Sequence, residues 1–339
     1  MDLRARPRPP RPLVLALVVL VLAALGPACS SSSSADDGSG PPEQGDGAAD
    51  DAFAPVTVEH RYGSTEITER PERIVSLDLQ WTDVLVALDA PPVGHLVDVT
   101  TGEALPWQEG LEGSTELVAA SSADSDQLRE QVLELRPDLI VVTYLVEDEG
   151  TYDDLAAIAP TIATLSDSQV DTWQGIAAVA GDVLGEPEAA DGLVAQVDGA
   201  IDQVTADHPA LAGKDFTFAN YVPGDALYVL SDPDDGANVL FGQLGLVIAP
   251  AILDAEDDSP GRVKLSLENV DLLDADLVMV LTNGADTASI PGFADLPAVE
   301  DGASLVMDYA AAVALNTPTP LSIPYALDLL APALAAAAT

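Results

Sequence analysis

The chain predicts an α/β fold of two lobes with mainly parallel sheets, joined by one long helix. Three observations predict it. The first is an internal repeat. Residues 128–142 (LREQVLELRPDLIVV) and 266–280 (SLENVDLLDADLVMV) each read as a short helix opened by a Glu, a tight turn ending in Asp, then an apolar strand. Eight positions separate Glu130 from Asp138, and eight separate Glu268 from Asp276. The second is the alternation of short apolar runs with helical patterns on both sides of the chain's middle, which implies parallel strands. The third is a long helical stretch, Pro187 to about Ala206, between the two alternating regions. Proline suits its first turn, and Leu193, Val197, Ile201 and Val204 recur on one face.

In chain order, Arg4 to Arg11 is basic and Pro-rich, and Leu13 to Leu25 contains only Leu, Val and Ala. Small residues follow, up to Cys29, the only cysteine. A basic start, a short apolar core and small residues read as a secretory signal peptide, and 13 residues are short for a membrane span. The pattern resembles a bacterial lipoprotein signal in which Cys29 is the lipid-attachment site. It departs from the usual lipobox, because Gly26 stands where Leu is customary and Leu25 lies one further back. The expected organisation is a signal peptide over 1–28, a disordered tether over 29–54, an N-terminal lobe over 55–186, the inter-lobe helix over 187–207 and a C-terminal lobe over 208–339. The tether is mostly Ser, Gly, Asp, Pro and Ala with little to bury.

In the first lobe, Val56 to His60 alternates as an edge strand and returns around Thr65 to Thr68. Arg73 to Leu77 is the first buried strand. Thr82 to Leu88 follows as a helix with Thr82 as N-cap, and Pro92 to Val97 is a strand. Asp98 to Ser125 reads as irregular. The first repeat copy comes next, then a helix over Tyr152 to Ile158, a short strand at Thr161 to Ala163, and a helix over Val170 to Leu184 stopped by Gly185. In the second lobe, strands are expected at Asp215 to Ala219, Ala226 to Leu230 and Leu305 to Met307. Helices are expected around Asn238 to Leu244 and over Ile323 to Ala337.

The chain has 57 acidic and 12 basic residues, a formal charge of −45. Without Arg4, Arg6, Arg8, Arg11 and Asp2, 8 basic and 56 acidic residues remain, a charge of −48. A surface this negative repels phosphate backbones and excludes nucleic acid as a partner. It favours cations and neutral solutes over polyanions. His60, His95 and His208 fall in unrelated segments, so no His-rich metal site is expected. Asp232-Pro233-Asp234-Asp235-Gly236 resembles half a calcium loop without its closing Glu and reads as a turn. No Gly-x-Ser-x-Gly elbow, Walker loop or Cys/His dyad suggests catalysis.

Residues 70–77 (RPERIVSL), 83–88 (DVLVAL) and Val93-Gly94 resemble the opening of iron-siderophore/cobalamin-type substrate-binding proteins of ABC transporters. Residues 130–140, 152–161 (YDDLAAIAPT), 184–190 (LGEPEAA), 296–299 (LPAV) and 320–322 (PLS) are similar to later stretches of that family, in order, over about 55–335. The resemblance implies the class III, helical-backbone type of fold: two lobes, one rigid helix, little hinge motion and a ligand held between the lobes. It implies no permanently bound cofactor, a monomer, and a lipid anchor as the only membrane contact, on the outer face of the cell membrane. It also implies that Glu130 and Glu268, one per lobe, dock onto Arg pockets of an ABC permease dimer. The bland reading of each Glu is a charge that complements a helix N-terminus.

Ligand contacts are expected from loops at strand ends: Trp81, Trp107, Tyr144, Tyr221, Arg262 and Asn283. Aromatics suit a large, partly apolar chelate, and an Arg suits its metal-binding oxygens. The few permanent cations of the body are Arg61, Arg70, Arg73, Arg129, Arg136, Arg262, Lys214 and Lys264. They fit a trianionic catecholate or ferric citrate poorly, and a neutral or cationic ferric hydroxamate siderophore better. Cobalamin or haem is the rival ligand, with no axial His in an expected cleft loop. A secreted enzyme acting on a metal chelate is the alternative of another class.

Overall fold

A hairpin leads into the first sheet. β1 (Val56–His60) and β2 (Gly63–Ile67) pair antiparallel, with Gly63 at φ 125° in the turn. Alternation turns Val58, His60, Thr65 and Ile67 inward, and His60 Nε2 bonds to Thr65 Oγ1 at 3.0 Å. The computed structural model describes residues 53–97, 104–119, 126–166, 171–255 and 261–339. The expected signal segment, most of the tether and Cys29 lie outside the described residues. Residues 51–339 form one compact unit.

The N-terminal sheet contains β3 (Ile74–Ser76), β4 (Gly94–Leu96), β5 (Thr115–Leu117), β6 (Leu139–Val141) and β7 (Thr161–Ile162), all parallel, in the order β5-β4-β3-β6-β7. The two-residue period of the strands divides their apolar side chains between two cores. Val75, Leu77, Ile140 and Val142 pack on Leu128 and Val132 of α2 (Asp126–Leu135) and on Leu155 of α3 (Glu149–Ala156). Ile74, Leu139, Val141 and Ile162 face the other way, toward α1 (Leu79–Ala87) and α4 (Trp173–Leu184). Strand β5 was hidden in the stretch read as irregular, because two of its three residues are exposed and form no apolar run.

Helix α1 starts a turn earlier than expected. Its N-cap is Asp78, whose Oδ1 accepts from Trp81 N at 2.9 Å. Thr82 is instead an interior residue whose Oγ1 donates to Asp78 O at 2.7 Å. Gly185 ends α4 in the left-handed conformation, as its position predicts. Helix α5 (Pro187–Asp207) has 21 residues, a rod of roughly 31 Å. A Cβ on Gly181 would meet Ala190 Cβ at 2.6 Å, so α4 and α5 touch where only Gly fits.

The C-terminal sheet is mixed. Its strands are β8 (Asp215–Tyr221), β9 (Leu227–Leu230), β10 (Val247–Ile248), β11 (Arg262–Leu265), β12 (Leu277–Leu281) and β13 (Ser304–Met307). Their order is β11-β9-β8-β12-β13, with β10 against the start of β8; the β8–β9 and β9–β11 pairs are antiparallel. The accompanying helices are α6 (Gly236–Gln243), α7 (Pro250–Leu253), α8 (Pro297–Glu300), α9 (Tyr309–Asn316) and α10 (Ser322–Ala337). Among the described residues no helix is long and apolar enough to cross a membrane.

The two repeat copies do the same work at their Asp. Asp138 accepts from Glu72 N at 2.8 Å and Arg73 N at 2.9 Å, tying the start of β6 to the start of β3. Asp276 accepts from Lys214 Nζ at 2.9 Å and Asp215 N at 3.0 Å, tying β12 to β8. Burial pushes Asp276 up. The bonds from Lys214 and Asp215 N, with the Lys214 charge, outweigh it and hold the carboxyl below its ordinary value. The copies differ in the helix. The first is the α-helix α2, with Glu130 in its middle; the second is a single 3-10 turn, Val270–Leu273, with Glu268 ahead of it. Asn269 stands outside helical geometry and leaves room for one tight turn only.

The rod is not the sole join between the halves. Asp83 on α1 is fully buried. Its Oδ2 accepts from Trp107 Nε1 at 2.8 Å and from Thr319 Oγ1 at 2.6 Å, and its Oδ1 accepts from Gln108 Nε2 at 2.8 Å. Thr319 belongs to the segment between α9 and α10, so this carboxylate clasps the far half. Gln80 Nε2 donates to Pro318 O at 3.1 Å, and the Trp107 ring lies 5.2 Å from that of Tyr325 on α10. Burial pushes the Asp83 carboxyl up to about 6; the three hydrogen bonds oppose the rise and the Asp78 charge adds to it. A raised pKa means the folded state holds a proton that the unfolded state loses above 3.8. That stabilisation is complete below 3.8 and is lost as pH rises through about 6. Thermal melts will therefore show wild type gaining about 1–2 kcal/mol on Asp83→Asn between about pH 7.5 and pH 5. His60 and His95 titrate alike in both proteins and cancel. A gap that shrinks on acidification would contradict this account.

Candidate functional site

A cleft of about 230 Å³ crosses the seam between the halves. The N-terminal wall is Asp78, Gln80, Thr143, Tyr144 and residues 171–174; the C-terminal wall is residues 234–236, Val239, Leu240, Gln243, residues 316–318 and Ile323. Hollows of about 410, 460 and 500 Å³ lie elsewhere, but each is lined from one half only. The cleft alone among these joins both walls and carries aromatic side chains.

Local structure explains the walls. Asp78 and Thr143 follow β3 and β6, neighbouring parallel strands, so both reach the same end of the sheet. Thr143 Oγ1 donates to Asp78 Oδ2. Burial pushes the Asp78 carboxyl up, against the bonds from Thr143, Trp81 N and Gln80 N, and the Asp171 charge adds to the rise. Asp171 precedes the α4 N-cap and accepts from Leu165 N at 2.7 Å and from Ser166 N at 3.1 Å. On the far wall Asp235 caps α6: its Oδ1 accepts from Ala237 N at 3.2 Å and its Oδ2 from Arg262 Nη2 at 3.0 Å. A Cβ on Gly236 would meet Asn316 O and Pro318 Cδ, each at 2.7 Å. Two stretches of that wall thus touch through a residue without a side chain.

The expected contact residues divide into three groups. Tyr144 lines the cleft and is 57% exposed, and Arg262 meets the wall through Asp235. Tyr221 and Asn283 lie together at the ends of β8 and β12 and do not line this cavity. Asn283, at φ 51°, donates from Nδ2 to Asn220 Oδ1 at 2.7 Å and to Tyr221 O at 2.8 Å. Trp81 and Trp107 are placed elsewhere. Trp81 is 0% exposed inside α1, because the helix begins before it, and its Nε1 has no hydrogen-bond partner. Trp107 is committed to Asp83 and Tyr325 at the seam. Sequence reading missed Asp78, Asp171 and Trp173; the N-cap pattern Asp78 to Trp81 and Thr172 to Gly175 was the available signal. Glu130 and Glu268 are both exposed, each beside one of the outer hollows. His60 and His95 are buried, and burial lowers both below the ordinary value despite Glu59 and Glu116. His95 Nδ1 bonds to Ser114 Oγ at 2.8 Å, so both rings serve packing.

The sequence profile of the Periplasmic binding protein family matches residues 74–305, both sheets and the helix between them. The chain belongs to the Periplasmic binding protein family. It is 25% identical over 236 residues to the probable siderophore-binding lipoprotein YfiY of Bacillus subtilis, covering 68% of this chain and 70% of that one. It is 25% identical over 263 residues to the ferric enterobactin-binding periplasmic protein FepB of Escherichia coli O6:H1, covering 73% and 82%. Among solved structures it resembles a periplasmic solute binding protein from Mycobacterium smegmatis, with TM-score 0.69, 28% identity, and 84% of this chain and 99% of that chain covered. This periplasmic binding protein thus shares its α/β architecture with ligand carriers. The Gly236 contact gives a direct test of the far wall. Gly236→Ala will cost about 1–3 kcal/mol in urea melts, because backbone must move to admit the methyl. A change within about 0.5 kcal/mol would show that the wall yields freely.

Proposed function

We propose that this chain is an extracytoplasmic receptor that binds a ferric siderophore between its halves and delivers it to the permease dimer of an ABC importer. The observation that carries the reading is the seam-crossing cleft in a chain of this family, two of whose relatives are named for siderophore binding. The working units are lobes over 55–186 and 208–339 with the helix 187–207 between them. Cys29 holds the chain to the outer face of the membrane by lipid alone. The protein acts as a monomer, carries no permanent cofactor and turns nothing over.

A hydroxamate-type chelate fits the cleft better than a catecholate or citrate complex. Asp78, Asp171, Asp234 and Asp235 line it, among the described residues no Lys, Arg or His does, and Arg262 is already paired with Asp235. Burying a trianion there would set like charges against each other in a poorly solvated space. Small-molecule sites usually offer roughly 300–1,000 Å³, so a chelate occupies the mouth beside Tyr144 as well as the cleft. Of the contact residues, Tyr144 acts at the cleft itself and Arg262 acts through Asp235 on its wall, while Tyr221 and Asn283 would extend the site along the strand ends. Fluorescence titration reports binding through Trp173 on the wall. Ferrioxamine-type chelates will quench with a Kd at least about 10-fold below that of ferric enterobactin. The reverse order would end the hydroxamate preference; binding of cobalamin or haem alone would end the siderophore reading.

Glu130 and Glu268 dock the loaded receptor. Each is exposed, one per half, and each lies eight residues before an Asp that ties the same pair of strands in its sheet. Charge-assisted pairs with Arg suit that role. Glu130→Arg and Glu268→Arg will leave chelate affinity within about twofold and cut iron uptake from the chelate by about 10-fold or more. Undiminished uptake in the double variant would remove both residues from docking.

A further inference from the structure

We propose that the cleft selects a chelate bearing a positive charge, an ammonium-type group, over the same chelate without it; this rests on the siderophore reading. The cleft combines features that together recognise a cation. Asp78 and Asp171 line one wall, both buried and neither in an ion pair among the described residues. Their hydrogen bonds come from neutral donors, Thr143 and Trp81 N for Asp78, and Leu165, Ser166 for Asp171. Neutral donors orient a carboxylate and leave its charge uncancelled. Asp234 stands exposed on the opposite wall, its backbone N bonded to Asp232 Oδ1 at 2.9 Å.

Two aromatic residues complete the set. Trp173 and Tyr144 both line the cleft, and a ring face attracts an ammonium as a carboxylate does, without a desolvation cost of its own. Burial and the Asp171 charge push the Asp78 carboxyl up, because its ionised form is unfavourable at that place beside Asp171. A cation offsets that penalty, and a neutral chelate does not. Arg262, which meets the wall through Asp235, is taken by Asp235 and Gly261 O, so the carboxylates of the lining without an ion pair among the described residues are Asp78, Asp171 and Asp234.

The test compares two probes with one metal centre. Ferrioxamine B carries a terminal ammonium, and its N-acetylated form has the same trihydroxamate iron complex without that charge. Affinities are measured by fluorescence titration on the full chain at low and high salt. The cationic form is expected to bind about 10-fold or more tightly at low salt, with the ratio shrinking in about 1 M salt. Asp234→Asn, at an exposed position, is expected to reduce the ratio at least about 3-fold. Asp202→Asn, exposed on α5 away from the cleft, is expected to leave it unchanged, which separates the cleft from the overall negative field. Equal affinity for both forms, or a ratio that Asp202→Asn lowers as much as Asp234→Asn, overturns the inference and leaves siderophore binding intact. Binding of neither form, with binding of cobalamin or haem, overturns the reading beneath it as well.

Discussion

The buried carboxylate of Asp83 is the constraint on which the rest of the molecule depends. It sits on the first helix of one half and accepts hydrogen bonds from Trp107, Gln108 and, across the seam, Thr319. A buried acceptor that lost these donors would keep its full desolvation penalty, so the bonds hold or fail together. Pro318, next to Thr319, lines the cleft and accepts from Gln80 on the opposite wall. The clasp therefore ties the two walls of the cleft together beside Pro318, and α5 joins the halves a second time. Two attachments resist an opening that a single rod would allow.

Charge is distributed to match. The few cations of the body are spent mostly on structure: Lys214 on Asp276, Arg262 on Asp235, Arg129 on Asp126 and Asp154, Lys264 on Asp225, Arg70 on Glu186. Exposed pairs of this kind add little stability, but they remove positive charge from the cleft. The charged groups that line it are carboxylates, with Tyr144 and Trp173 beside them. The chemistry of the site follows as much from where the arginines are engaged as from the residues on its walls.

Much of the fold could be read from the chain because its signals are local and repeated. The Asp138 and Asp276 copies announced two equivalent strand starts, and in the structure both carboxylates bond to the start of a neighbouring strand. Strong punctuation at Gly185 and Pro187 located the rod. Less could be read where tertiary pairing overrides local pattern. The strands β5 and β10 are short and partly exposed, and β11 pairs antiparallel with β9 on evidence that no window of sequence carries. The candidate site was legible only in part. Tyr144 follows directly from its strand, whereas Trp81 failed because a one-turn error in a helix start turns a loop residue into a core residue. Asp78, Asp171 and Trp173 were obscured by the same helix starts, since a cap residue and a cleft residue look alike until the neighbouring strand is placed.

The two halves are similar without being equal. One repeat carries its Glu in the middle of a ten-residue helix, the other ahead of a single 3-10 turn, and of the two large sheets only the second mixes parallel with antiparallel pairs. A transporter built from two identical subunits would therefore meet two unlike handles. On the proposed docking, such a mismatch would break the parity of the assembly at the moment of contact, so that one subunit could respond before its twin.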